Sequence, residues 1–117
     1  MTKQEKRGDC YEANFLKLCQ LESEAPGEYR LIHAEVMGGR ELEGVQFGHA
    51  FLLHGPTMMV LDCSNGNEVT MPYVLYAAKG NIDLIDNWHG YKLEEALEKA
   101  LETEVYGPWD LKTSTGL

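Results

Sequence analysis

Residues 45–63, VQFGHAFLLHGPTMMVLDC, decide the fold. Val45, Phe47, His49, Phe51 and Leu53 fall on alternate positions, and so do Met58, Val60 and Asp62. That is the period of strands with one buried face. Only Gly55-Pro56 separates the two runs. Glycine tolerates the positive φ at the first position of a type II′ turn, and proline suits the negative φ of the second. The stretch therefore predicts a β-hairpin with His54 opposite Thr57. Counting back along both strands brings His49 opposite Asp62 on one face, with Cβ atoms roughly 4.5–5.5 Å apart. A four-residue loop keeps this register, whereas a loop of three or five breaks it. Such spacing lets a carboxylate accept a hydrogen bond from an imidazole and fix its tautomer. A buried structural His–Asp pair fits it equally, so a third residue has to decide.

Upstream, Tyr29 to Met37 alternates, with Ile32, Ala34 and Val36 on one side and Leu31, His33 and Glu35 on the other. Gly38-Gly39 breaks this strand, and residues 40–44 form a polar connection. Before it, a helix starts near Asp9, a good N-cap residue, with Tyr11, Phe15, Leu18 and Cys19 at helical spacing. The segment from Glu22 to Gly27, containing Pro26-Gly27, ends it. Cys10 thus sits at a helix start, where unpaired backbone N–H groups and the dipole favour a thiolate. Asp9 is expected to turn its carboxylate back onto the helix as a cap. A cysteine at a helix start, with a histidine facing an acid on a hairpin, is the arrangement for nucleophilic acyl chemistry. Cys19 and Cys63 read as small buried hydrophobes, Cys63 on the face opposite Asp62.

Downstream, Ser64-Asn65-Gly66-Asn67 is a turn cluster. Pro72 to Lys79 predicts a short helix, capped at Thr70 and stopped by Gly80. Asn81 to Asp86 adds a short edge strand. From Lys92 to Thr103 runs a helix with Leu93, Ala96, Leu97, Ala100 and Leu101 as its apolar stripe and Glu94, Glu95, Glu98 and Glu102 facing water. Helix, antiparallel strands, then helices make an α+β protein.

The 117 residues, 44% of them hydrophobic and 25% charged, have the make-up of one globular domain. It is placed at residues 8–110, with 1–7 and 111–117 as frayed termini. A formal charge of −9 argues against nucleic acid and against anionic membrane surfaces, since both recruit Lys and Arg. No apolar run approaches the ~20 residues that cross a bilayer, and the first ten residues lack the apolar stretch of a secretory signal. Three cysteines without tight spacing make no disulfide framework. The expectation is a soluble protein of the reducing cytoplasm. Zinc is not expected, because Cys10, Cys19, Cys63, His33, His49, His54 and His89 contain no closely spaced ligand pair. His33 reads as a surface strand residue, and His54 and His89 as solvent-facing. Trp88, Tyr106 and Trp109 read as packing the C-terminal segment onto the sheet.

GDCYEAN, FGHAF and VLDCSNG, in that order, resemble the papain-like superfamily, in the compact branch of transglutaminase-like proteins and bacterial cell-wall endopeptidases. More narrowly, the chain is similar to a group of small phage and bacterial proteins. These combine a Cys-Tyr segment, a His-Ala strand, an Asp-x-Ser-Asn turn, a Tyr-rich short helix and a terminal Gly-Pro-Trp-Asp. The corresponding pieces here are Cys10-Tyr11, His49-Ala50, Asp62 to Asn65, Tyr73 to Gly80 and Gly107 to Asp110. The resemblance implies a papain-like core with Cys10 as nucleophile, His49 as base and Asp62 as orienting acid. It also implies a host-cytoplasm location if the chain is phage-encoded. For the oxyanion it offers Gln4, which precedes Cys10 by six positions as the papain glutamine does, or Asn14, one helical turn beyond.

The expected activity is that of a cysteine hydrolase or acyltransferase on an amide or isopeptide bond. It needs no cofactor and takes a peptide or protein substrate. The competing expectation is a catalytically inactive papain-like module that binds or inhibits a partner.

Overall fold

The computed structural model of the protein describes residues 9–37, 46–64, 66–80, 82 and 88–111. Within them the chain is α+β, with three helices and one five-stranded antiparallel sheet. In chain order the elements are α1 (Cys10–Glu22), β1 (Tyr29–Met37), β2 (Gln46–His54), β3 (Met59–Ser64), β4 (Asn67–Pro72), α2 (Tyr73–Gly80), β5 (Trp88–Tyr91) and α3 (Leu93–Thr103). The strands lie in the order β4-β3-β2-β1-β5.

Alternation along β1 and β2 sorts the core into two layers. Leu31, Ala50, Leu52 and Tyr91 face α1 and α3, where they meet Phe15, Leu18 and Ala96. Ile32, Ala34, Val36, Phe51 and Val60 face the other way, toward Ile82 and the half-buried Tyr73, Tyr76 and Ala77 of α2. Fully burying each of the larger aliphatic side chains contributes about 1.5–3 kcal/mol. The layers hold α1 against β1, β2 and β3. That contact is what brings the start of α1 to the sheet.

The hairpin differs from expectation in one respect. Its loop has four residues, Gly55 to Met58, and the first pair beyond it is His54 with Met59. Positive φ falls on Met58 (58°) rather than on Gly55. The Met58 N–H donates to the His54 carbonyl at 2.8 Å, while the Gly55 N–H is taken by the Glu28 carbonyl at 2.9 Å. That second bond ties the loop to the α1–β1 connection, which the hairpin sequence alone does not reveal. β3 is therefore displaced by two residues from the expected register, which a four-residue loop keeps only by adding one residue on each side of Gly55-Pro56; here both added residues, Thr57 and Met58, come from the β3 side. A shift of two keeps every side chain on its face, so His49 and Asp62 remain together, now as diagonal rather than direct neighbours.

Two further elements depart from the sequence reading. β4 pairs with β3 from Met59↔Pro72 to Ser64↔Asn67, where only a turn and a helix cap were expected. Five of its six residues are exposed, so no apolar alternation announces it, and Pro72 is tolerated because the strand is at the edge. At the other edge, β5 pairs Trp88 to Tyr91 with β1. The edge strand had been expected at Asn81 to Asp86. Ile82 is buried there outside any strand, and the rest of that stretch lies outside the described residues, as does the Gly38-Gly39 turn. In α3, Ala96 is buried but Leu101 is 81% exposed, so the expected stripe is only partly used. Among the described residues no helix is long and apolar enough to cross a membrane.

Candidate active site

Cys10 is the first residue of α1 and is buried, at 5% exposure. Asp9 makes no side-chain cap bond to the helix, contrary to the sequence expectation. The Cys10 side chain acts on the imidazole of His49 and raises its pKa, which sets thiol and ring beside each other. His49 Nε2 and Asp62 Oδ2 are 2.9 Å apart, which leaves Nδ1 as the nitrogen for the sulfur. Asp62 Oδ2 also accepts a 2.6 Å hydrogen bond from the Tyr76 hydroxyl of α2. His49 and Asp62 are thus bonded to each other, with Cys10 beside the same ring.

Burial alone would lower the pKa of His49. The hydrogen bond to Asp62, the effect of the Cys10 side chain and the charges of both outweigh it and hold the imidazole up to about 10. Burial would conversely raise Asp62; the hydrogen bond and charge of His49, with smaller pulls from Tyr76 and Asn14, bring it below the usual carboxylate range. At neutral pH the pair is therefore an imidazolium held by a carboxylate. Tyr76 was not singled out from the sequence. A phenol donating to the acid from a neighbouring helix has no local signature, although its place in a Tyr-rich helix after the acid was visible.

Asn14, a candidate oxyanion donor in the sequence, is placed otherwise. It is fully buried, and its Nδ2 donates to the carbonyls of Cys10 (2.8 Å), Ala50 (3.1 Å) and Cys63 (2.9 Å). Two N–H groups facing three acceptors have nothing left for an oxyanion. Gln4, the other candidate, lies outside the described residues.

The remaining histidines are ancillary. His54 bonds Thr57 and Glu28 beside the hairpin loop. His33 is fully buried, not on the surface. The C-terminal segment closes over it: Trp109 and Tyr91 have ring centroids 4.9 and 5.0 Å away, and Tyr11 of α1 lies at 4.9 Å. A Cβ at Gly107 would come within 2.7 Å of the His33 ring, so this close approach requires glycine. Trp109 also packs on Phe15, as does Tyr106, which puts the terminal aromatics against α1 and the sheet. His89, opposite His33 on β5, is half-buried. Among the described residues no group of three or more His, Cys, Asp or Glu side chains is arranged to hold a metal ion.

Three groups give the stability a pH dependence of definite sign. His49 is raised from 6.5 to about 10, so its contribution is complete below 6.5 and lost as pH rises toward 10. His33 is held down to about 3 by burial and the charges of His89 and His49, with Asp110 opposing. Its contribution holds above 6.5 and is lost as pH falls toward 3. Asp62 is depressed, so its share holds above the ordinary 3.8 and disappears on further acidification through its folded value. Stability is expected to peak near pH 6.5 and decline on both sides. Denaturant midpoints across the range check this. His49→Gln should flatten the alkaline limb, and an alkaline limb already flat in the parent would contradict an imidazole held charged by Asp62.

Comparison with known proteins brings no match to a family model, a curated protein or a solved structure.

Proposed function

We propose that this chain is a papain-like cysteine hydrolase or acyltransferase acting on an amide, isopeptide or related acyl bond of a peptide or protein. The observation that carries the reading is the 2.9 Å His49–Asp62 pair, with Cys10 at the start of α1 acting on the same imidazole. A helix start supplies the sulfur and the following antiparallel sheet supplies the base and then the acid, in the chain order that the superfamily resemblance implies.

In the reaction the Cys10 thiolate, paired with the His49 imidazolium, attacks the carbonyl carbon and forms a C–S bond. The displaced electron pair moves onto the carbonyl oxygen, which the backbone N–H of Cys10 meets at the helix start. When the tetrahedral centre collapses, the C–N bond breaks and the amine leaves with the proton from His49. His49, now neutral, takes a proton from the water that attacks the thioester. Breaking the C–S bond then releases the acid and restores the ion pair. An amine in place of water makes the same site a transferase. Asp62 holds the ring in one tautomer throughout, and Tyr76 fixes Asp62.

Iodoacetamide tests this cheaply. At about pH 6 Cys10 should be alkylated at least about tenfold faster than Cys19 or Cys63. Burial raises both of those thiols, Cys63 to about 11 with help from Glu68. Rates per cysteine are read by mass spectrometry of the separate peptides. The inactive binding or inhibitory module draws support from the 5% exposure of Cys10. A Cys10 rate that climbs only above about pH 8, together with the other two, decides for that module.

A further inference from the structure

The face of the sheet that α1 covers carries Ala50 and Leu52, whereas His49 lies on the opposite face with Phe51. A sulfur on α1 therefore has to meet an imidazole from the other side of β2. The β2–β3 ladder shows how. It runs His54↔Met59, Leu53↔Val60, Leu52↔Leu61 and stops. Continued in the same register, Ala50 would stand opposite Cys63. The Asn14 carboxamide takes that place instead. Its Nδ2 donates to the Ala50 and Cys63 carbonyls and its Oδ1 accepts from the Cys63 N–H at 3.0 Å. The two carbonyls and the Cys63 N–H are thus satisfied through a side chain rather than across the ladder. The same Nδ2 holds the carbonyl of Cys10. Ala50 follows His49 and Cys63 follows Asp62. One planar amide is therefore bonded to the backbone at, or one residue from, each member of the site.

We propose that Asn14 is a positioning residue: its carboxamide wedges the ladder open between Ala50 and Cys63 and sets the alignment of Cys10, His49 and Asp62. The proposal rests on the triad reading above. A polar side chain that only fills the core would satisfy the same hydrogen bonds without governing the reactivity of the thiol.

The test compares the parent with Asn14→Ala and with Leu18→Ala, a control that weakens the same helix through lost apolar packing. For each, the denaturant midpoint, the pH profile of Cys10 alkylation and the ring 15N signals of His49 are measured. Both variants should be destabilised. Only Asn14→Ala should slow Cys10 alkylation near pH 6, by about tenfold or more, and move the His49 ring signals toward those of a free imidazole. An Asn14→Ala protein with the parental alkylation profile and ring signals overturns the proposal. A parent in which Cys10 has an ordinary thiol profile sinks the triad reading instead. The ring signals then still decide the wedge, since they read the His49–Asp62 contact without chemistry at sulfur. If Asn14→Ala does not fold, Asn14→Ser, whose hydroxyl can still reach the Cys10 carbonyl one turn back but not both strands, replaces it in the same three measurements with the same deciding outcomes.

Discussion

Replacing Cys10 by serine is expected to abolish labelling by an acyl probe while leaving the fold almost unchanged. The exchange alters one atom at the start of α1, and the hydroxyl still accepts or donates toward His49. A denaturant midpoint within about 1 kcal/mol of the parent is therefore expected. The chemistry is far less forgiving. A serine hydroxyl beside an imidazolium is not ionised, and the charge that Asp62 keeps on His49 leaves no free base to activate it. Triads of this logic lose on the order of 10⁶-fold when the nucleophile is removed. His49→Gln should fall almost as far, because the residues act as a unit and the losses do not add. Mass spectrometry of the probe adduct, with intrinsic fluorescence for folding, makes the measurement. Labelling that survives in Cys10→Ser would place the reactive thiol at Cys19 or Cys63 and end the assignment.

The residues that set this expectation were legible in the sequence because each belongs to an element with a local signature. Helical spacing located α1 and hence Cys10 at its start. Alternation located β1, β2 and β3, and with them the shared face of His49 and Asp62. The register itself was less legible. Its parity follows from the strand pattern, but its value depends on Met58 adopting positive φ and on Glu28 capturing the Gly55 N–H, both of them tertiary facts. β4 escaped because an edge strand exposed on both faces has no apolar period to show. His33 was misplaced for the complementary reason: its strand pattern was correct, but the lid over it comes from Trp109, far along the chain. Asn14 and Tyr76 are the instructive pair. Both act through hydrogen bonds to partners that only the packing of helices on the sheet brings near, so neither role could be read from spacing.

Asp62→Asn is the second large effect, and its direction separates catalysis from support. The carboxylate now gives one oxygen to both the His49 ring and the Tyr76 hydroxyl. An asparagine keeps the shape and one acceptor. Both partners meet the same atom, so an amide turned with its N–H₂ there faces His49 Nε2 and the Tyr76 oxygen, which then accepts. A donor there forces the ring proton onto Nδ1, the nitrogen that must take the proton of Cys10. The expected consequence is a loss of about 10⁴-fold in acylation rate, as when a triad imidazole is held in the wrong tautomer. Removing the acid also withdraws the charge that keeps His49 up near 10, so the alkaline limb of the stability profile should shrink as in His49→Gln. Stability near neutral pH should fall as well, because the imidazolium loses its partner in a partly buried site. Breaking a buried pair costs about 3–5 kcal/mol, and partial solvent access at His49 and Asp62 brings the expected loss below that. Probe labelling and denaturant midpoints measured on one preparation resolve the two roles. A large fall in rate with a modest fall in stability fits an orienting acid. A large fall in stability, with Cys10 already unreactive in the parent, fits a His–Asp pair that only holds β2 and β3 together.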